Sequence, residues 1–306
     1  MSRSIAVAPG TLVEMHDAFV AAVVRAGGTI APLSTATGLI WADPGAAASF
    51  PNVVAQMPNL EWVQLPYAGV ETFGTYLDPA YTFTCGKGSY ALPVAEHVIT
   101  LALAGLRNIW RFSNATSWGE RTGRNLLGAN ITILGAGGIA SEVVRLLEPW
   151  RCRVTVVRRS ATQFPGAAQT MAVSNLHDAV ATADVVVVAW ALTEQTRGLV
   201  DANALAAMRD DAWLINVGRG CHVVTADLVA ALESGTIAGA ALDVTDPEPL
   251  PAGHPLWAIP NCIITPHVAN TAEMGLPLIA QRVEENTRRY LNNQPFVGLV
   301  DIDAGY

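Results

Sequence analysis

Three short segments close strand-like apolar runs with side chains able to bind an anion and move a proton. Asn216-Val217-Gly218-Arg219-Gly220 offers a guanidinium, and Asp243-Val244-Thr245-Asp246-Pro247-Glu248-Pro249 offers carboxylates. Thr265-Pro266-His267-Val268-Ala269 offers an imidazole. A guanidinium is a planar fork that matches a carboxylate. An imidazole titrates near neutrality, and a carboxylate beside it favours the protonated form. Taken singly, an arginine after a strand is a surface charge and an isolated histidine is structural. Arg219, Glu248 and His267 at successive strand ends form a set that one crevice can bring together.

The elements that position this set begin with the stretch 130–160, NITILGAGGIASEVVRLLEPWRCRVTVVRRS. Its apolar run 131–134 is short and β-branched, which predicts a buried strand. Gly135, Gly137 and Gly138 follow. Ile139, Val143, Val144, Leu146 and Leu147 then recur at helical spacing, and 154–157 reads as a second strand. Strand, glycine turn, helix, strand is the unit that holds a dinucleotide, with the pyrophosphate at backbone N–H groups and the helix N-terminus. Ala140 replaces the third glycine, at the position that serves helix–strand packing. At the end of the second strand, where a carboxylate would accept from a ribose 2′-OH, stand Arg158, Arg159 and Ser160. Two guanidiniums and a hydroxyl suit a 2′-phosphate, so NADP(H) is the favoured cofactor and NAD(H) the alternative.

With 306 residues, two domains are expected. A chain 51% hydrophobic and 14% charged is expected to be globular and soluble, and a net charge of −8 disfavours nucleic acid or an anionic membrane as partner. The start, MSRSIAVAPG, lacks signal-peptide architecture, and the apolar run 185–192 is too short to span a bilayer. Cys85, Cys152, Cys221 and Cys262 are widely spaced with no CxxC pair. Free thiols in a reducing cytoplasm and no metal are expected.

Residues 4–98 read as alternating strands (5–8, 38–42, 62–65, 81–84) and helical or turn segments, a small open α/β domain. A helix from Thr11 places Leu12, Met15, Phe19, Ala22, Val23 and Ala26 on one face and stops at Gly27-Gly28. Small residues at Ala68, Gly69 and Val70 leave N–H groups exposed for a carboxylate. Lys87, the sole lysine, lies between glycines in Cys85-Gly86-Lys87-Gly88-Ser89. A long helix over 91–107 carries the chain into a doubly wound parallel sheet, whose further strands are 184–189, 212–217, 238–244 and 262–265.

These segments give the chain a resemblance to the D-isomer-specific 2-hydroxyacid dehydrogenase family over nearly its whole length. The matching stretches are Ala68-Gly69-Val70, Pro93-Val94-Ala95-Glu96-His97, GAGGIA, and Leu192-Thr193-Glu194-Gln195-Thr196-Arg197-Gly198-Leu199. LINVGRG, then GAALDVTDPEPLPAGHPLW running into ITPHVA, complete the set and are the most specific. The resemblance implies an α/β fold: a doubly wound (Rossmann) nucleotide domain, 99–274, plus a smaller flavodoxin-like α/β substrate domain, 1–98, to which 275–306 returns.

The resemblance implies catalytic roles for Arg219, Glu248 and His267. Cofactor contacts are expected from Gly135, Gly137, Gly138, Ile139, Arg158, Arg159, Ser160, Thr196, Gly218 and Asp243. Substrate contacts are expected from Ala68, Gly69, Val70, Lys87 and Arg219. Reduction of a small 2-oxo acid to the D-2-hydroxy acid is the implied reaction, with His267 as proton donor and a homodimer as the implied assembly. The short C-terminus and the arginine pair are most similar to the glyoxylate/hydroxypyruvate reductase branch. An NAD-dependent phosphoglycerate dehydrogenase and a non-catalytic dinucleotide-binding regulator are the alternatives. Ala140, Glu71 and Asn270 depart from the family pattern, and the last two bear on substrate preference.

Overall fold

The computed structural model describes residues 3–303. The chain divides into two compact units, 1–90 with 271–306, and 91–270. The ends of the expected substrate domain, 1–2 and 304–306, lie outside the described residues.

In the first unit, strands β1 (Ile5–Ala8), β2 (Gly38–Trp41), β3 (Trp62–Gln64) and β4 (Thr82–Thr84) form a parallel sheet in that order. Ile5 also makes a single parallel bridge to Ile30. The order is therefore flavodoxin-like, with the second strand reduced to one bridge. β2 and β3 are buried on both faces, as strands between helical layers must be. The helix Val13–Arg25 ends at Ala26, and Gly27 follows at φ 82°, the left-handed turn that closes a helix without a Cβ penalty.

The last helix, Ala272–Leu291, supplies part of this unit's interior. Its fully buried Asn286 donates to Gln64 Oε1 at 2.8 Å and accepts from the Val297 N–H at 3.0 Å. Trp62 packs against Tyr290 and Phe296, with ring centroids 5.0 Å away in each case. Beyond the helix the chain returns to the sheet, where Val300 N–H donates to Phe83 O at 3.0 Å.

In the second unit, strands β5 (Asn130–Leu134), β6 (Arg153–Arg158), β7 (Gln169–Ala172), β8 (Val185–Val188), β9 (Trp213–Asn216), β10 (Gly239–Leu242) and β11 (Cys262–Ile264) make one sheet. Their order is β11-β10-β9-β8-β5-β6-β7, and every described pairing is parallel. This is the doubly wound arrangement, with its crevice at the strand C-termini where the order reverses at β5. β8 is four valines, all buried.

The edge strand β7 has no apolar run, and the sequence reading leaves it out. The expected cut at 98/99 also moves. The helix Ala91–Leu106 lies wholly in the second unit, which runs from 91 to 270 rather than from 99 to 274. Packing explains why this helix is not divided. A Cβ on its Gly105 would come within 2.5 Å of the Trp213 ring, and one on Gly239 of β10 within 2.6 Å. Trp213 occupies the room that two missing side chains leave, seating the helix directly on the sheet.

Candidate active site

The glycine turn lies between β5 and the helix Gly138–Leu147. Gly135 has φ 135°, and a Cβ there would sit 2.5 Å from the Ala189 carbonyl, so no other residue fits. A Cβ on Gly137, the residue preceding the helix, would meet nothing within 4 Å, and no side chain caps the helix there. The first-turn N–H groups thus face an open, uncapped cradle, which fits a pyrophosphate. Gly138 is exposed, Ile139 is half-buried, and Ala140 is fully buried as a packing residue. Arg158 ends β6; Arg159 and Ser160 follow it exposed, with Ser160 Oγ 3.2 Å from Thr162 Oγ1. Among the described residues neither arginine has a carboxylate within ion-pair distance.

The loop after β9 is bonded to itself. Buried Asn216 accepts from Gly218 N–H at 3.1 Å and donates to the Arg219 carbonyl at 2.9 Å. Arg219 donates its own N–H to His222 Nδ1 at 3.1 Å, and its guanidinium donates to the Gly218 carbonyl at 2.8 Å. A Cβ on Gly220 would lie 1.9 Å from the Thr245 carbonyl, so this loop and the one after β10 touch through bare backbone. That close approach joins the segments carrying Arg219 and Glu248.

The loop after β11 is built around Asp243, which is 2% exposed. Its Oδ1 accepts from Thr265 Oγ1 at 2.6 Å and Val268 N–H at 2.9 Å, and its Oδ2 from Ala269 N–H at 3.1 Å. Because the Thr265 hydroxyl proton is spent on Asp243, His97 Nε2, 3.0 Å from that hydroxyl oxygen, must be the donor in its contact. Burial acts to raise the Asp243 pKa, but the donors His97, Thr265, Val268 and Ala269 outweigh it and hold it down at about 2. The clamp fixes His267 in the left-handed region, φ 53°, with its N–H directed to the Asp243 and Thr265 carbonyls at 2.8 and 2.9 Å. His267 Nδ1 lies 2.6 Å from Glu248 Oε1, with both side chains about half exposed, at 54% and 41%. This orients the imidazole through one nitrogen and leaves Nε2 for chemistry.

Thr196 forms its own loop, donating to the Ala191 carbonyl at 2.9 Å and accepting from Thr193 N–H at 2.8 Å. Sequence reasoning missed His222, and it quoted Asn216 and His97 without a role. The polar residues of the NVGRGCH segment are the signal for Asn216 and His222.

The expected substrate residues Ala68, Gly69, Val70 and Lys87 lie in the first unit, on two loops stitched to each other. Gly86 N–H donates to the Tyr67 carbonyl at 2.8 Å, and Tyr90 OH to the Pro66 carbonyl at 2.6 Å. Arg282 donates to the Cys85 and Lys87 carbonyls at 3.2 and 2.9 Å. Ala68 and Lys87 are exposed, and Val70 is buried. All four cysteines are free thiols. Among the described residues there is no cluster suited to a metal, and no helix is long and apolar enough to cross a membrane.

A parallel sheet with an uncapped glycine turn at its reversal point, and Arg, Glu and His on three adjoining strand ends, defines a dinucleotide-binding α/β protein. Residues 98–269 match the D-isomer specific 2-hydroxyacid dehydrogenase, NAD binding domain. A protein described as uncharacterized, in the proB 3′ region of Corynebacterium melassecola, is 38% identical over 86% of this chain and 88% of its own. Glyoxylate/hydroxypyruvate reductase A of Klebsiella pneumoniae is 35% identical, the match covering 58% of this chain and 56% of that protein.

Among solved structures, a D-isomer specific 2-hydroxyacid dehydrogenase from Xanthobacter autotrophicus, in complex with NADPH and MES, superposes with a TM-score of 0.86 at 28% identity over 100% of both chains. An NADPH-dependent glyoxylate/hydroxypyruvate reductase from Sinorhizobium meliloti, in complex with NADP and sulfate, gives 0.81 at 25% identity, again over 100% of both. The chain belongs to the D-isomer specific 2-hydroxyacid dehydrogenase family of NAD(P)-dependent oxidoreductases.

Proposed function

We propose that this enzyme reduces a small 2-oxo acid of the glyoxylate/hydroxypyruvate type to the D-2-hydroxy acid, with NADP(H) favoured over NAD(H). The observation that carries the reading is the Glu248–His267 contact of 2.6 Å, beside the loop bearing Arg219. Gly135, Gly137, Gly138 and Ile139 would hold the pyrophosphate, and Arg158, Arg159 and Ser160 the 2′-phosphate. Gly218 would line the nicotinamide half. Asp243 retains acceptor capacity on Oδ2 for a cofactor N–H. Thr196 would contribute by shaping its loop. A reduced nicotinamide held there would supply the hydride for C2.

His267, held by Glu248, donates the proton that the developing alkoxide oxygen requires. Arg219 binds the substrate carboxylate and polarises the ketone, a contact that strengthens as charge develops. Backbone N–H groups at Ala68, Gly69 and Val70 take the carboxylate as well, and Lys87 adds positive charge. A cytoplasmic homodimer built through the nucleotide domain belongs to the same reading. It is supported by exposed apolar side chains at Ile109, Phe112 and the fully exposed Trp118. Sedimentation at micromolar concentration tests the dimer.

The deciding experiment follows NADPH and NADH absorbance over glyoxylate, hydroxypyruvate, pyruvate, phenylpyruvate and 3-phosphohydroxypyruvate. Preferred turnover of NADPH with one of the first two is expected. Tight NADPH binding without turnover of any acid would overturn the reading in favour of a regulator. Preference for the phosphorylated acid with NADH would favour the phosphoglycerate enzyme.

A further inference from the structure

His222 is fully buried, and the chemistry above makes no use of it. It stands three residues beyond Arg219, where the loops after β8 and β9 run together. Its Nδ1 accepts the Arg219 N–H at 3.1 Å, so that nitrogen carries no proton. The ring proton then belongs on Nε2, whose neighbour is the Ala191 carbonyl at 3.4 Å, an acceptor. One neutral tautomer satisfies both contacts, whereas an imidazolium would set N–H against N–H.

The surroundings agree with that tautomer. A Cβ on Gly218 would come within 3.0 Å of Nδ1, so the ring fills the space under the glycine before Arg219. The Trp190 ring lies edge-on, with centroids 6.2 Å apart. Backbone bonds extend the tie: Gly198 N–H to the Cys221 carbonyl at 2.8 Å, and Val200 N–H to the His222 carbonyl at 3.0 Å. Two cations face the ring, Arg219 from its own loop and Arg197 from the loop after β8. Burial above all pushes the imidazole below its ordinary range; backbone contacts at Ala191 and Arg219 oppose it, and the Arg219 and Arg197 cations add to it.

We infer that His222 is a positioning residue for the reaction: a buried, neutral imidazole that fixes the backbone at Arg219 and ties it to the loop after β8. The inference rests on the 2-oxo acid reading for its catalytic consequence. A guanidinium that must grip a carboxylate and polarise a ketone together tolerates little displacement. A shift of ~1 Å costs on the order of 10²-fold in rate.

The test compares two variants of the full-length chain. His222→Leu keeps bulk but removes the acceptor, whereas His222→Asn places an amide oxygen near the position of Nδ1. His222→Leu is expected to lose about 10²-fold in kcat/KM on the best 2-oxo acid, through KM and kcat together, with NADPH Kd changed less than about threefold. His222→Asn is expected to recover most of that loss. Wild-type kinetics in His222→Leu, or equal losses in the two variants, would overturn the role.

Because the leucine variant can fail to fold, ring ¹⁵N NMR of the wild-type protein reads the geometry independently. The expected result at pH 7 is an Nε2–H tautomer with bare Nδ1, titrating below the ordinary ~6.5. An Nδ1–H tautomer, or titration at or above that value, would overturn it. A wild-type protein inactive on every acid of the panel would sink the 2-oxo acid reading and the catalytic half of this one. The NMR result would then bear on the geometry alone.

Discussion

The strand ends on the two sides of β5 are built differently. After β9, β10 and β11, each loop is fastened by buried or half-buried polar side chains: Asn216 and His222 under Arg219, and Asp243 with Thr265 and His97 under His267. After β6, the Arg158-Arg159-Ser160 tip is half-buried to exposed, and among the described residues its one side-chain bond is to the nearby Thr162. The difference follows from what each group must do. The proton and hydride transfer proposed above needs near-attack geometry, which supporting bonds of this kind favour. Recognition of a mobile 2′-phosphate by guanidiniums relies on charge and tolerates looser side chains. On the proposed reading, rate would then depend on the braced backbone and cofactor choice on the exposed side chains.

Substitutions on the two sides sharpen or break this contrast. The largest effect is expected from His267→Ala, which should lower kcat by about 10²–10⁴-fold while leaving NADPH binding near normal by fluorescence titration. Near-normal turnover would remove it as the proton donor. Arg219→Ala should cost about 10²-fold in kcat/KM, raising KM and lowering kcat together. A change confined to KM would reduce it to a binding group.

Asp243 comes next, through stability. Its folded-state pKa of about 2 lies below the ordinary ~3.9, so it stabilises the fold above that ordinary value. The contribution, about 2 kcal/mol, is lost as pH falls from ~3.9 through ~2. Urea unfolding at stepped pH should show this acid limb in the wild type and a flatter one in Asp243→Asn. Equal limbs would deny the carboxylate its role as a clamp. Arg158→Asp should be mildest, cutting the NADPH-over-NADH preference by about tenfold with no change in thermal midpoint. An unchanged preference would refute the cofactor assignment, and a large stability loss would erase the contrast between the two sides.

Much of this was legible in advance, for physical reasons that can be named. β5 and β8 are short β-branched runs buried on both faces, and GAGGIA lies at the one turn where glycine geometry and anion binding coincide. Strand β7 reads QTMA and escaped because an edge strand need not be apolar. The strand at Ile30 shrank to a single bridge and left no run to detect. The domain cut fell inside 91–107 because a mostly apolar helix carries no mark of which core it joins. That decision was made by Trp213 meeting Gly105 and Gly239, residues remote in sequence. Of the site, the placing of Arg219, Glu248 and His267 at adjoining strand ends was readable from the sequence, and the proposed roles rest on it. Their braces were not: His97 and His222 are ordinary histidines until folding sets Thr265 and Arg219 against them.

The first unit is assembled from two distant pieces of chain, residues up to 90 and residues from 271 onward. Its interior relies on Asn286 and Tyr290, which belong to the second piece. On a ribosome the early piece therefore emerges without its closing helix and waits while the whole second unit is made. That unit is contiguous in sequence and can close as synthesis proceeds. The helix Ala272–Leu291 and the segment after it must therefore close a unit whose other piece was made earlier.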